Sequence, residues 1–384
     1  MTTVINGRLI LPDTNGDFKI CAGKTLTFDE KILSVGDSID GEIFDAQNCY
    51  VAPGFVNVHI HGCAGADTMD DDDSALTTMR EFLPTSGVTT FLPTTMTMSR
   101  EKISAALTRI RQQQKISHGA KVIGAHLEGP FISKKFKGAQ DARHVVPADF
   151  ALVEEFSDVI KIVTVAPEEI SFDFIDRCRE KNIVVSIGHS AASYEVASAA
   201  IERGAKHVTH LFNAQSPFHH RKPGVVGAAL DSDAIVELIA DNVHVHPVAQ
   251  RFAKKIKPRS QIVLITDSIR ACGLGDGLSE LGGQAVYVHG NLATLADGTI
   301  VGSIATLNSV LKNFCANTDL DVAAGVELVT KNPAVELNIF DRVGSLEVGK
   351  SADITIFDDD FNIRQTFIDG AEEFDRHGST GRHG

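Results

Sequence analysis

Short runs of β-branched and other apolar residues alternate with longer amphipathic stretches from residue 51 onward. Runs of this length, bounded by turn residues, are typical of buried strands. We predict eight strands, at Gly54–His61, Gly87–Pro93, Val122–Glu128, Ile160–Ala166, Ile183–His189, His207–Phe212, Ile235–Asp241 and Ile262–Asp267. Most are separated by stretches with helical periodicity, such as Ser74–Ser86, Arg100–Ser117, Ser193–Gly204 and Pro247–Lys257. This alternation predicts an α/β fold, a (β/α)8 TIM-like barrel.

An open, doubly wound sheet is the alternative architecture for the same alternation. Such sheets commonly carry a glycine-rich dinucleotide fingerprint, and no G-x-G-x-x-G motif opens any of these units. The barrel is therefore the preferred prediction.

Both chain ends have a different pattern, in which short strands and turns replace the helical stretches. Strands this short cannot bury a face alone. We therefore expect residues 1–51 and 342–384 to form one small β-sandwich domain, beside a catalytic barrel of residues 52–341.

Composition and charge exclude several classes of protein. The net charge of −14 argues against sequence-independent nucleic-acid binding, which needs a basic face. No apolar run approaches the ~18 residues of a membrane span, and the N-terminus lacks a signal-peptide layout. The six cysteines are scattered without a C-x-x-C pair, which is typical of a reducing compartment. We expect a cytoplasmic protein with neither nucleic-acid nor membrane partners.

Candidate metal ligands occupy the predicted strand ends, where barrel active sites are built. His59 and His61 lie two apart on one strand, so both side chains face the same side. Such a pair favours a metal site over a satisfied core histidine. Glu128, His189, His210 and Asp267 end or lie on later strands. Imidazole and carboxylate ligands suit zinc, iron or another first-row metal rather than calcium.

Hydrolysis of an amide requires such a set of residues. A metal ion lowers the pKa of a bound water to about 7 and polarises a carbonyl group. A nearby carboxylate can then move a proton from the water to the departing nitrogen. Asp267 is the best-placed candidate for this acid/base role.

Several motifs extend this pattern over nearly the whole chain. They are APGFVNVHIHG at 52–62, HLEGPF at 126–131, GHS at 188–190, HLFNA at 210–214, NPA at 332–334 and GSLEVGKSAD at 344–353. Together they resemble the amidohydrolase superfamily, and specifically the N-acetylglucosamine-6-phosphate deacetylases. The motif at 344–353 marks only the superfamily, whereas HLEGPF and HLFNA are far more specific to the deacetylases.

The resemblance implies a role for each of these residues. Glu128, His189 and His210 would bind the principal divalent metal, zinc or iron. His59 and His61 would bind a second metal that Glu128 bridges, although some relatives work with one. Asp267 resembles the catalytic acid/base.

Substrate contacts are also implied by the resemblance. The expected substrate-binding residues are Gln140, Asn213, Ala214, Arg221, His244 and Ala305. Gln140 stands where many relatives have a histidine near the acetyl carbonyl, and Ala305 where a leucine often touches the acetyl methyl. Asn213 and the backbone of Ala214 resemble phosphate contacts. Arg221 resembles a phosphate-binding arginine that the family supplies from a neighbouring subunit, which implies a homodimer.

The expected reaction is hydrolysis of N-acetylglucosamine 6-phosphate to glucosamine 6-phosphate and acetate, in amino-sugar catabolism and cell-wall recycling. Another phosphorylated amino sugar, such as N-acetylgalactosamine 6-phosphate, is the nearest alternative. A dihydroorotase-type hydrolase usually has a carboxylated lysine between its metals, whereas the fourth predicted strand ends at 163–167 without a lysine. A non-catalytic amidohydrolase-like binding protein is less consistent with the chain, because every expected ligand is present.

Overall fold

The strands of the N-terminal segment precede the barrel. The computed structural model describes residues 1–376 and, of the last residues, the backbone of 382–383. Residues 377–381 and 384, at the end of the predicted β-sandwich segment, lie outside the described residues.

The first strands are β1 (Thr2–Ile5), β2 (Arg8–Pro12), β3 (Phe18–Cys21), β4 (Thr25–Phe28), β5 (Ile32–Gly36), β6 (Glu42–Asp45) and β7 (Tyr50–Pro53).

Strands and helices then alternate along the chain. The strands are β8 (Phe55–Ile60), β9 (Gly62–Cys63), β10 (Ala66–Asp67), β11 (Val88–Pro93), β12 (Lys121–Val122), β13 (Ala125–Glu128), β14 (Ile160–Val165), β15 (Val184–Ile187), β16 (His207–Val208), β17 (Ile235–Leu238) and β18 (Ile262–Leu264). The helices are α1 (Ser74–Phe82), α2 (Arg100–Gln113), α3 (Phe150–Glu155), α4 (Phe172–Glu180), α5 (Tyr194–Arg203), α6 (Gly224–Leu230), α7 (Pro247–Ile256), α8 (Leu307–Thr318), α9 (Val322–Glu327) and α10 (Lys331–Glu336). Short 3₁₀ segments lie at Leu83–Ser86, Lys134–Phe136, Ala142–His144, Pro167–Glu169 and Arg259–Gln261.

The remaining strands follow the eighth barrel strand. A small antiparallel sheet contains β19 (Gly277–Leu281), β20 (Gln284–His289) and β21 (Leu292–Thr294). The last strands are β22 (Ile354–Phe357), β23 (Ile363–Ile368), β24 (Ala371–Asp375) and β25 (Arg382–His383).

The central strands form a closed parallel barrel. β8, β11 and β12 make one parallel sheet, and β13 to β18 make another in sequential order. A parallel bridge from Thr94 to His126 joins the two sheets. A second bridge, from Ile60 to Ser268, joins the first barrel strand to the chain after β18. The predicted (β/α)8 TIM-like barrel is confirmed.

The two chain ends combine in a β-rich domain. One sheet has the order β25-β6-β1-β4-β5, and the other has the order β24-β23-β22-β7-β2-β3. Both sheets therefore contain strands from each end of the chain, as predicted. Their apolar side chains form one buried cluster that includes Val4, Leu26, Phe28, Ile354 and Phe367. The domain limits at 51/52 and 341/342 remain a prediction, and β7 runs through the first of them.

The length and hydropathy of the helices decide whether any of them could cross a membrane. Among the described residues, none of the helices has both the length and the apolar character needed to cross a bilayer.

A test of the junction between barrel and β-domain uses Phe357. Its ring is buried and lies 5.2 Å from the Tyr50 ring and 6.0 Å from the Phe55 ring, between centroids. Removing a buried phenyl group leaves a cavity, so Phe357→Ala should lower the free energy of unfolding by about 3–5 kcal/mol. Denaturant-induced unfolding measures the change. Phe172→Ala, at a side chain that is 48% exposed, is the matched control and should change stability far less. Equal losses in the two variants would contradict the proposed packing role.

Candidate metal centre and substrate pocket

Each predicted ligand lies at or just beyond the end of a barrel strand. Two of them, His189 and His210, and the acid/base candidate Asp267 have backbone φ values of 47°, 31° and 48°. Left-handed conformations of non-glycine residues cost on the order of 1–3 kcal/mol and persist only where the surroundings hold them. Asp267 is held on both sides, because its N–H donates to the His59 carbonyl at 3.0 Å and its carbonyl accepts from Ser303 N–H at 2.8 Å. The barrel thus stabilises a backbone geometry that these residues do not favour locally.

The carboxylate of Glu128 lies at the centre of the predicted ligand set. Its Oε1 is 3.2 Å from His189 Nε2, 3.1 Å from His210 Nε2 and 3.4 Å from His59 Nε2. Its Oε2 is 3.4 Å from His61 Nε2. All five residues are buried. The structure therefore brings all five predicted metal ligands together.

The other nitrogen of each imidazole has an acceptor. The Nδ1 contacts are His59 to Glu237 Oε2 at 2.9 Å, His61 to the Thr94 carbonyl at 3.2 Å, His189 to the Phe136 carbonyl at 3.0 Å and His210 to the Asn213 carbonyl at 3.1 Å. Carbonyl and carboxylate oxygens only accept, so these contacts place the ring proton on Nδ1. In the neutral ring, each Nε2 then directs a lone pair toward the Glu128 carboxylate.

This arrangement fits a divalent cation. In neutral rings, the Nε2 lone pairs of His189 and His210 would face each other at 3.1 Å, and both would face a carboxylate oxygen. Such contacts repel unless a cation or a proton lies between them. Nitrogen and carboxylate donors with acceptors on the opposite ring nitrogen are typical of first-row metal sites. The predicted ligands form two overlapping groups, His59–His61–Glu128 and Glu128–His189–His210, each with its ligand atoms within 4.8 Å of one another. A third such group, His59–His126–Glu237, contains His59 and two residues that were not predicted as ligands.

Electrostatics keep the carboxyl groups of this centre ionised. Burial raises the pKa of Glu128, but the surrounding histidines, His189 first among them, outweigh burial and hold it well below its usual range. Burial likewise raises the pKa of Asp267, while His59 and His61 bring it below its ordinary value. Burial lowers the pKa of His210, and Glu128 more than compensates, raising it to about 9. An ionised Asp267 is able to accept a proton.

Asp267 shares a pocket of about 190 Å³ with four of the five predicted ligands, all but His59, and with most of the predicted substrate contacts. Its Oδ1 lies 3.2 Å from His61 Nε2 and 3.4 Å from His59 Nε2. The predicted substrate-binding residues in the lining are Gln140, Asn213, Ala214 and His244. The acid/base candidate and four of the predicted ligands therefore line one cavity.

Two predicted substrate residues lie elsewhere. Ala305 lines a small internal cavity together with Cys63 and Cys272. Burial raises the pKa of the Cys272 thiol to about 12, so this thiol stays protonated at neutral pH. Arg221 is exposed and lines a separate, larger cavity with Lys135. Its guanidinium Nη1 lies 2.7 Å from His220 Nε2.

Gln140 contacts the central carboxylate directly. Its Nε2 donates to Glu128 Oε2 at 2.6 Å, and its Oε1 accepts from Thr97 N–H at 2.8 Å. The backbone donor fixes the orientation of the amide, because only the oxygen can accept that bond. Gln140 therefore orients Glu128, and its second N–H is available for another partner.

Sequence reasoning missed Glu237 and His126. Glu237 contacts His59, and His126 Nε2 contacts Thr164 Oγ1 at 2.7 Å while its Nδ1 contacts the Val58 carbonyl at 3.0 Å. Both side chains are fully buried. The available signal was a glutamate between Val236 and Leu238 in a short apolar strand, since an unpaired carboxylate is rarely buried.

Comparisons with known proteins agree with this geometry. The model of the amidohydrolase family matches residues 50–372. The chain belongs to the amidohydrolase family. Members of this family generally depend on divalent metals, and the histidine–glutamate groups described above provide candidate sites.

Individual relatives define the resemblance further. The N-acetylglucosamine-6-phosphate deacetylase of Bacillus subtilis (strain 168) is 43% identical over 86% of this chain and 86% of the relative. The N-acetylgalactosamine-6-phosphate deacetylase of Escherichia coli O157:H7 is 35% identical over 83% of this chain and 86% of that protein. The crystal structure of N-acetylglucosamine-6-phosphate deacetylase from Pasteurella multocida superposes with a TM-score of 0.91 and 30% identity, covering 97% of this chain and 99% of that one. The resemblance to these deacetylases inferred from the motifs is confirmed.

A test of the ligand assignment compares metal content among variants. We expect up to two first-row metal ions per wild-type chain after purification without chelator. Glu128→Ala should lose more metal than His59→Ala, because Glu128 belongs to both groups of predicted ligands, whereas His59 belongs to only one of these two. Elemental analysis after dialysis measures the stoichiometry.

The control for this experiment is His289→Ala, at a side chain that is 97% exposed, and it should keep the wild-type metal content. A wild-type stoichiometry of one under metal excess would instead make His59 and His61 supporting residues.

Proposed function

We propose that this chain is a metal-dependent hydrolase that removes the acetyl group of N-acetylglucosamine 6-phosphate, giving glucosamine 6-phosphate and acetate. One observation carries the proposal. An ionised Asp267 faces a cluster of one carboxylate and four imidazoles in a pocket, within a chain that is 43% identical to a deacetylase of this substrate. Amino-sugar catabolism and cell-wall recycling both require this reaction.

The protein groups have separate tasks in this reaction. Glu128, His189 and His210 would hold the principal metal, zinc or iron, and His59 with His61 would hold a second one. The metal, when bound, supplies Lewis acidity that activates water and polarises the acetyl carbonyl. Asp267 takes a proton from the attacking water and returns it to the sugar nitrogen as the C–N bond breaks. The oxygen of the water remains on acetate, and the nitrogen leaves as the amine.

Other residues of the pocket can position the sugar. Asp241 Oδ2 accepts from His244 Nδ1 at 2.7 Å, which fixes the orientation of the ring at the pocket wall. Gln140 can direct its second amide N–H toward the acetyl carbonyl, and Asn213 and the Ala214 amide can contact the phosphate. Ala305 remains a proposed neighbour of the acetyl methyl, although it lines a separate internal cavity.

Arg221 is proposed to reach the phosphate of a neighbouring subunit in a homodimer. It lies on a cavity separate from the one that contains Asp267 in the same chain. A planar guanidinium is well suited to bidentate phosphate binding. A second copy of the chain could therefore complete the site. Because sugar phosphates are charged and cross bilayers poorly, we expect the reaction in the cytoplasm, where the sugar is phosphorylated.

The galactosamine epimer is the second candidate substrate. The 35% identity with an N-acetylgalactosamine-6-phosphate deacetylase favours keeping it, because the two sugars differ only at C4. Acetate release from both 6-phosphates, measured side by side, decides between them. Higher catalytic efficiency on the galactosamine compound would reverse the assignment.

The acid/base role is tested by Asp267→Asn. Asparagine keeps the size of the side chain but cannot take up the proton, so turnover should fall at least about 10²-fold. Metal content should stay at the wild-type value, and acetate release measures the rate. The exposed Asp341→Asn is the control, since its side chain is 76% exposed. Retention of most of the wild-type turnover would remove Asp267 from this role.

The phosphate role is tested by Arg221→Ala. A charge-assisted hydrogen bond contributes about 1.5–3 kcal/mol, so catalytic efficiency on the phosphorylated sugar should fall roughly 10- to 150-fold. The unphosphorylated sugar is the internal control and should be affected far less. Equal losses on the two sugars would exclude phosphate binding by Arg221.

Mixed dimers then test whether Arg221 acts across the interface. A heterodimer of Arg221→Ala with Asp267→Asn contains one site that combines the intact Asp267 of one chain with the intact Arg221 of the other. Activity recovered on mixing supports the shared site. Confirmed heterodimers without recovery would place the arginine in its own subunit's site.

A further inference from the structure

A chain of four buried ionisable side chains leads from the metal centre to helix α10. Its members are His59, Glu237, His207 and Glu336. His59 Nδ1 lies 2.9 Å from Glu237 Oε2, and His207 Nε2 lies 3.0 Å from Glu237 Oε1. His207 Nδ1 contacts Glu336 at the other end. The side chains are at most 4% exposed.

One oxygen of Glu237 contacts both halves of the metal centre. Its Oε2 accepts from His59 Nδ1 at 2.9 Å and from the backbone N–H of His210 at 3.0 Å. His59 belongs to the group with His61, and His210 belongs to the group with His189. The second contact supports a residue whose φ is 31°, a conformation that needs external support.

The placement of Glu237 follows from strand geometry. In β17 its neighbours Val236 and Leu238 point to the opposite side, as alternation along a strand requires. Its other oxygen lies 3.0 Å from His207 Nε2, while Oε2 accepts the two hydrogen bonds from His59 and His210 that fix the orientation of the carboxylate. Buried ion pairs are weak evidence of stability, whereas carboxylates behind ligating histidines fix the tautomer and the ring orientation.

We infer that Glu237 is a positioning residue that sets the metal affinity of both halves of the centre. It keeps the His59 proton on Nδ1, which leaves Nε2 free to bind, and it holds the His210 backbone in its left-handed conformation. The inference rests on the metal dependence in the proposed function.

The test compares metal binding in two pairs of variants. Glu237→Leu removes the oxygen that accepts hydrogen bonds from both His59 and His210. Glu336→Leu removes the other partner of His207 and leaves these two bonds in place. Competition with a chromophoric chelator measures Zn²⁺ affinity, and the visible absorption of bound Co²⁺ reports the ligand geometry. We expect Glu237→Leu to weaken Zn²⁺ binding 10- to 100-fold and to change the Co²⁺ spectrum. Glu336→Leu should leave both close to wild type.

The conservative variants provide a second comparison. In Glu237→Gln an amide oxygen can still accept from His59 and His210, so its affinity should lie between those of wild type and Glu237→Leu. If either leucine variant does not fold, Glu237→Gln against Glu336→Gln makes the same comparison.

Two results would overturn the inference. If Zn²⁺ affinity weakens equally in the Glu237 and Glu336 variants, the effect belongs to the buried charges as a group. If Zn²⁺ affinity is unchanged in the Glu237 variants, Glu237 has no positioning role. A wild-type protein that binds no Zn²⁺ would instead contradict the proposed metal-dependent function, so the two failures are distinguishable.

Discussion

The carboxylate of Glu128 is buried among imidazoles that three separate barrel strands supply, and the functional architecture depends on this contact. An isolated buried carboxylate is costly unless positive charge or hydrogen-bond donors compensate it. Here Nε2 atoms of four histidines lie 3.1–3.4 Å from its two oxygens, and Gln140 donates a further bond. Because the Nδ1 atoms already have acceptors, the free lone pairs converge on one small volume.

Closure of the barrel makes this convergence possible. The bridge between Ile60 and Ser268 brings the end of the first strand beside the end of the eighth, which places Asp267 next to His59 and His61. The β-domain supports the same strand from its other end, since β22 pairs with β7 just before β8 begins. Several catalytic candidates have unfavourable backbone conformations, and the closed ring is rigid enough to hold them.

Polar side chains around the predicted ligands fix the orientation of the residues in the site. Gln140 orients Glu128, Asp241 orients His244, and Glu237 holds both His59 and the backbone of His210. Of these three residues, Gln140 also lines the pocket, whereas Glu237 and Asp241 orient residues of the site from outside it.

The sequence by itself determined the barrel, the pairing of both chain ends and the residues of the candidate metal centre. Alternation of apolar runs and helical stretches is a local property, and the spacing of His59 and His61 on one strand places both on one face. Glu128, His189, His210 and Asp267 could be assigned because barrel sites collect at strand ends and because the motifs resemble a known family. The contacts of Glu237 with His59 and His210, the bond from Gln140 to Glu128, and the separation of Arg221 and Ala305 from the pocket were decided only by the tertiary structure. These contacts join residues far apart in the chain, and their distances depend on how the whole ring closes, which no local pattern contains.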